Sequence, residues 1–279
     1  MEIQRPHAVC IPYPAQGHIF AMLKLAKLLH HKGFHITYVL TQFNYAHIMK
    51  ARNFHPLAQS PTFRFETIPD GLPSRENPDT ALDIADLCFS TAKNCYAPFM
   101  ELIDRLYRAS DVPLVSCVVS DALMAFTVGA SQELGIPVVL FWSVLTPSPV
   151  LMHIYSPDLR DKVSKNKGIY IYTYVIFGDY IIDWIPGVKS IRLSDIPTTA
   201  WSKDPNDPFI DYLISEVSKS YKASAAIFNT FDELEPEVCK ALSKDPNDPS
   251  QCFSKDYQKA KSTKSNVIYG KKIPLVFNG

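Results

Sequence analysis

Between His7 and His31 the chain changes period once. An unbroken apolar run, HAVCIPY, passes through the loop PAQGH into a stretch where Met22, Leu25, Ala26 and Leu29 share one face and Lys24, Lys27 and His31 the other, with Gly33 as the stop. A strand without polar alternation is buried on both faces, so it needs helices above and below it, and a helix that follows at once makes the first unit of a parallel sheet. The alternation continues. Phe34 to Thr41 is expected as a second strand, Asn44 to Arg52 as a short helix, and Phe63 to Pro69 as a third strand ending in the turn DGLP. Asp79 to Ser110 reads as helix interrupted at Pro98, Leu114 to Asp121 as a buried strand, Ala122 to Leu134 as helix stopped by Gly135, and Pro137 to Ser143 as another strand. Beyond Pro186 the pattern returns as a helix at Phe209 to Ser224, a strand at Ala225 to Thr230 and a helix at Glu233 to Leu242. Units of this size predict an α/β fold with a doubly wound parallel sheet.

Open sheets of this kind collect ligands at the carboxyl ends of their strands. His18 stands there, in the first turn of the first helix, where the partial positive charge of the helix N-terminus disfavours imidazolium and leaves a neutral ring able to take a proton. It is a candidate general base; the competing reading is a histidine that caps its helix or packs beneath a loop. Asp121 ends the fourth strand in the same way. Near His18 it would orient the ring and stabilise the imidazolium formed when a hydroxyl gives up its proton. The alternative is a plain N-cap.

Composition excludes several classes. Lys plus Arg and Asp plus Glu both total 28, which argues against nucleic acid and anionic membrane as partners. Cys10, Cys88, Cys95, Cys117, Cys239 and Cys252 show no CxxC or zinc spacing, so reduced thiols in a cytoplasmic protein and no metal are expected. The first strand begins within a few residues of Met1, so no secretory signal is expected. Ile169 to Pro186 approaches the length of a membrane span but carries Asp179 and Asp183 and many tyrosines and β-branched residues, and reads as strand or irregular wall. The first βα turn lacks GxGxxG, which disfavours a nucleotide-dependent oxidoreductase.

PAQGHI at Pro14 to Ile19, SDALMAFT at Ser120 to Thr127, LGIPVVLFW at Leu134 to Trp142, DWIPGVKSIRLSDIP at Asp183 to Pro197 and KASAAIFNTFDELE at Lys222 to Glu235 occur in one order and spacing. Together they resemble the plant UDP-dependent glycosyltransferases (family 1, UDP-glucosyltransferases acting on small aglycones), in their N-terminal half. The resemblance implies a GT-B fold of two Rossmann-like domains, with residues 1–242 as the acceptor-binding N-terminal domain. It implies transfer of a sugar, glucose being commonest, from UDP-sugar to a hydroxyl of a flavonoid, iridoid, cyanohydrin or similar alcohol, with inversion. UDP-sugar would be a co-substrate, with no cofactor and no metal. His18 matches the family's base and Asp121 its partner. Ser143 falls where a small hydroxyl residue commonly meets the donor sugar. Gly17, Phe20, Phe89 and Phe126 are candidate substrate contacts, the aromatic ones being equally compatible with core positions.

The departures are also informative. Phe20 and Ala21 stand where the family usually has a polar residue and then proline, and nothing in the chain resembles the family's HCGWNS box. The reading is therefore of a chain that lacks the UDP-sugar-binding domain, with a catalytically dead acceptor-binding module or a truncated gene product as the alternative to an active enzyme. Residues 151–182 depart from the family pattern. SKDPNDP occurs at Ser202 to Pro208 and again at Ser243 to Pro249, and 243–279 reads as an atypical tail, polar and disordered over Lys244 to Asn266, with a possible edge strand at Ile273 to Phe277.

Overall fold

His7–Ile11 (β1) is buried at every position, as its unalternating sequence requires. In the computed structural model the described residues are 5–49, 57, 59–72, 83–143, 181–183, 187–188, 190–192, 195, 207–220, 222–231, 233–242 and 267–270. They fall in two units, Met1–Ser143 and Val144–Gly279. In the first, β1 is followed by Gln16–His31 (α1), His35–Thr41 (β2), Gln42–Ile48 (α2) and Phe63–Ile68 (β3). Then come Ile84–Asn94 (α3), Tyr96–Arg108 (α4), Val115–Asp121 (β4), Phe126–Leu134 (α5) and Val138–Trp142 (β5). The strands run in the order β3-β2-β1-β4-β5, all parallel.

That order places the reversal of winding between β1 and β4. From β1 the chain builds outward through β2 to β3, then returns to lay β4 on the other side of β1. A crevice opens at such a point because the two connections leave in opposite directions. The register pairs Ile11 with Ser120 and Asp121 with Phe141, so β1, β4 and β5 end at nearly one level.

α1 packs Ile19, Met22, Leu25 and Ala26 into the core, each 0–1% exposed, and α4 contributes Phe99, Leu102 and Ile103 at 0%. Complete burial of each larger aliphatic or aromatic side chain is worth about 1.5–3 kcal/mol. The Tyr13 hydroxyl donates to the Ile84 carbonyl oxygen at 3.4 Å and lies 3.2 Å from Cys88 Sγ, tying α3 to the end of β1. From the other side the Ser90 hydroxyl donates to the Asp70 carbonyl oxygen at 2.7 Å, anchoring α3 to the turn after β3.

Several boundaries differ from expectation, the second helix starting at Gln42 and not Asn44 and the last at Pro236 and not Glu233, and two of the differences have a clear local cause. The helix break expected at Pro98 falls at Cys95, between α3 and α4. Pro98 is the third residue of α4, where a missing N–H costs little, so it opens the second helix and does not end the first. The helix expected from Ala122 begins at Phe126, because the Met124 N–H donates to the Asp121 carbonyl oxygen at 2.9 Å and forms a turn first.

In the second unit Ile181–Ile182 (β6) pairs antiparallel with Ile191–Arg192 (β7), and Ala225–Phe228 (β8) with Val267–Gly270 (β9). Pro208–Ser220 (α6) buries Ile210, Leu213 and Val217, and Pro236–Leu242 (α7) follows β8. Residues 151–180, both SKDPNDP copies apart from Asp207 and Pro208, 244–266 and 273–277 lie outside the described residues. No helix among the described residues is long and apolar enough to cross a membrane.

Gly129 within α5 and Gly135 at its C-cap should respond oppositely to alanine. Gly135 closes the helix at φ 68°, left-handed backbone that a Cβ strains, whereas Gly129 is exposed in mid-helix with nothing within 4 Å of an added Cβ. Gly135→Ala is expected to lower unfolding free energy by about 1 kcal/mol and Gly129→Ala to raise it by about 0.5–1 kcal/mol in urea titrations.

The fold also carries an acid-sensitive histidine. His7 is fully buried, 2.7 Å through Nδ1 from the Pro113 carbonyl oxygen and 2.8 Å through Nε2 from Thr37 Oγ1. Burial pushes its pKa from 6.5 to about 4 against the Pro113 hydrogen bond, with His35 and Arg64 adding repulsion. The native ring therefore stays neutral while the unfolded chain takes up a proton near 6.5. Its stabilisation is present above pH 6.5 and lost as pH falls towards 4. Unfolding free energy from this group should drop by about 2 kcal/mol between pH 6.5 and 4.5, and His7→Gln should flatten that dependence.

Candidate active site at the carboxyl ends of β1, β4 and β5

The PAQGH loop starts α1 at Gln16, which makes His18 the third helical residue. Two contacts fix this turn. The buried Tyr38 hydroxyl on β2 donates to the Ile19 carbonyl oxygen at 2.6 Å, and the Asn44 amide on α2 donates to the Pro14 carbonyl oxygen at 3.0 Å. Ala15, at the N-cap, offers no side-chain acceptor and the first turn holds no acidic residue.

Asp121 closes β4 at 1% exposure. It caps no helix. Its Oδ1 accepts the Leu123 N–H at 3.1 Å, and Oδ2 lies 2.8 Å from His18 Nδ1. Ser143, one residue past β5 and 8% exposed, completes the cluster: its Oγ lies 2.7 Å from His18 Nδ1, and its hydroxyl donates to Asp121 Oδ2 at 2.9 Å. Three neighbouring parallel strands thus deliver three polar side chains to one point. The Tyr13 ring stands edge-on to the imidazole with centroids 5.1 Å apart. Among the described residues, both polar contacts of His18 use Nδ1 and neither uses Nε2.

The proton affinity of His18 is raised above its ordinary 6.5. Burial is the largest single influence and works to lower it, but the charge of Asp121 and the hydrogen bond to it together prevail. The helix N-terminus led to an expectation of a ring biased towards neutrality; the carboxylate reverses that direction. A carboxylate-held imidazole is a stronger base once deprotonated, and the cation it forms is already paired.

The other sequence candidates are Phe20, Phe89, Gly17 and Phe126. Phe20 and Phe89 are 40% and 38% exposed, on α1 and on the α3 tied to Tyr13. A Cβ added at Gly17, in the first turn of α1, would meet nothing within 4 Å. Phe126 is half-buried, its ring edge-to-face with fully buried Phe99 at 5.8 Å. Sequence reasoning missed Tyr13 and Tyr38. Tyr13 ends the first apolar run and was visible as a polar tip beside the loop, whereas Tyr38 inside a β-branched strand gave no signal. Among the described residues no group of three or more His, Cys, Asp or Glu side chains is placed to hold a metal ion.

In an NMR titration the His18 ring should protonate with a midpoint above 6.5, and Asp121→Asn should bring it below 6.5, since burial then acts unopposed. Because the folded value is raised, the pair stabilises the fold fully below pH 6.5 and loses that contribution as pH rises through the folded midpoint.

No protein-family model matches the chain. It is 50% identical over 244 residues to the 7-deoxyloganetin glucosyltransferase of Catharanthus roseus, a match covering 86% of this chain and 49% of that protein. To the (R)-mandelonitrile beta-glucosyltransferase of Prunus dulcis it is 45% identical over 243 residues, with the same shares of 86% and 49%. The chain thus spans about half the length of the curated relatives it matches. In structure it is similar to Phytolacca americana UGT2 complexed with UDP-2fluoro-glucose and pterostilbene, with a TM-score of 0.62 at 20% identity, over 89% of this chain and 53% of that one. That likeness carries the fold: a Rossmann-like domain of the GT-B type.

Proposed function

The chain is a homologue of the plant UDP-glycosyltransferases, its curated relatives reaching 41–50% identity over 86% of its length, and on that premise we propose that it serves glycosyl transfer from a UDP-sugar, glucose first, to a hydroxyl of a small plant metabolite. In this reading residues 1–242 form the acceptor-binding part. The observation that carries it is the His18–Asp121 pair, 2.8 Å apart where the winding of the sheet reverses.

The chemistry follows from the pair. His18 Nε2 takes the proton of the acceptor hydroxyl as its oxygen forms a bond to the anomeric carbon. The bond from that carbon to the β-phosphate oxygen of UDP breaks from the opposite face, its electron pair leaves with UDP, and configuration inverts. Asp121 holds Nδ1–H, orients the ring and stabilises the imidazolium. Phe20 and Phe89, together with the exposed Ile84, supply apolar surface suited to an aglycone, with Gly17 leaving room at the helix end. A surface of that kind would bind by area and select by the one hydroxyl presented to His18.

The test is a transfer assay of the 279-residue chain with UDP-glucose and a panel of iridoid, cyanohydrin and flavonoid alcohols. His18→Ala is expected to reduce kcat/KM by about 10²–10⁴-fold. With the intact base, kcat/KM should rise with pH through a midpoint above 6.5, since only the neutral ring accepts a proton. Acceptor binding without turnover would overturn transfer by this chain and leave an acceptor-binding module.

A further inference from the structure

His18 Nδ1, Asp121 Oδ2 and Ser143 Oγ form a closed triangle with sides of 2.8, 2.9 and 2.7 Å. Two hydrogens must serve its three edges. The carboxylate only accepts, and a hydroxyl donates one hydrogen. If Ser143 donated to Nδ1, the bare nitrogen would face Oδ2 lone pair to lone pair at 2.8 Å. The arrangement without repulsion has Ser143 donating to Oδ2, while Nδ1–H points at Oδ2 and shares its approach with the Ser143 oxygen.

We propose that Ser143 is a positioning residue that tempers the His18–Asp121 pair: by donating its hydrogen to Oδ2 it takes up part of the carboxylate charge, and so sets how tightly His18 holds the proton it removes from substrate. The proposal rests on the reading of His18 as the base. Its sign follows from which contacts change with protonation. Asp121 keeps Nδ1–H on the ring in both the neutral and the cationic form, so the contact from Nδ1–H to Ser143 Oγ exists in both and largely cancels. The attraction of Oδ2 for the ring charge exists in the cation alone, and the Ser143 hydrogen weakens it. Without that hydrogen the imidazolium is held harder, and at neutral pH a smaller share of the base is free to act.

The surroundings leave this role to Ser143. Among the described residues, the ionisable groups facing the pair are Tyr13, edge-on to the ring from the end of β1, and Tyr38 on β2, whose phenol burial holds far above its usual range and whose one polar contact is to the Ile19 carbonyl oxygen. The second Asp121 oxygen is occupied by the Leu123 N–H. Ser143 is thus the hydroxyl that reaches Oδ2, and its place one residue beyond β5 is set by the pairing of Asp121 with Phe141.

The test is ¹⁵N-detected NMR of the His18 ring in the 279-residue chain, which reads tautomer and midpoint together and needs no turnover. Absence of glycosyl transfer would therefore sink the function proposed above without touching this result. Ser143→Ala is expected to raise the His18 midpoint by about half a unit to one unit, with Nδ1 still carrying the proton, and Ser143→Thr to restore the parent value. Circular dichroism on both variants checks that each is folded; the threonine variant supplies the comparison should alanine disturb the strand end. A midpoint that stays put or falls in Ser143→Ala, or a threonine variant that behaves like alanine, overturns the proposal.

Discussion

The parallel register between β1 and β4 is the constraint on which the site depends. His18 and Asp121 are 103 residues apart in the chain and 2.8 Å apart in space, and no local interaction bridges that separation. It is closed by the pairing of Ile11 with Ser120, made possible because both strands are largely apolar and buried along their length, as the interior of a sheet requires. A slip of one residue would turn Asp121 to the other face and leave His18 without its carboxylate. The Tyr38 and Asn44 contacts then serve a narrower purpose. They hold the first turn of α1 against β2 and α2, so that the ring cannot drift from the carboxylate the register has delivered.

Burial acts on His7 in β1 and on His18 in α1, and the net results are opposite because their partners differ. His7 meets a carbonyl and a hydroxyl, neither of which repays the loss of water around a cation, and its pKa falls to about 4. His18 meets a carboxylate, and its pKa rises although burial is again the largest single influence. The same low-dielectric interior that makes a lone charge costly strengthens the attraction between a pair. One end of β1 is therefore a structural joint that must stay neutral, while the other leads to a ring able to cycle between charge states.

Much of this was legible in advance, for reasons that differ by feature. The five parallel strands and the first helix follow from period: continuous apolar runs alternate with a 3.6-residue face, and Gly33 and Gly135 stop helices where expected, both at positive φ. Pro98 misled because proline breaks a helix from its interior but is tolerated in a first turn, and sequence does not say which turn it occupies. Ala122 misled because Asp121 spends its backbone carbonyl and one carboxylate oxygen on a turn before α5 can begin. At the site, His18 and Asp121 were visible as polar residues at strand ends. Tyr38 was not, because a tyrosine within an apolar strand looks like packing until its hydroxyl is seen to meet the Ile19 carbonyl.

The sequence by itself determined the kind of sheet, and it marked His18 and Asp121 as polar residues at the carboxyl ends of their strands, since hydrophobic period and strand-end polarity are properties of contiguous residues. It also carried, through motifs in order and spacing, the relationship to plant UDP-glycosyltransferases. Only the tertiary structure decided that Asp121 divides its two oxygens between a turn and the imidazole, that Ser143 closes a triangle with them, and that the net effect on His18 is to raise its hold on a proton. Those outcomes depend on distances between strands far apart in the chain, and electrostatics in a buried site turns on differences of a few tenths of an ångström that no linear pattern encodes.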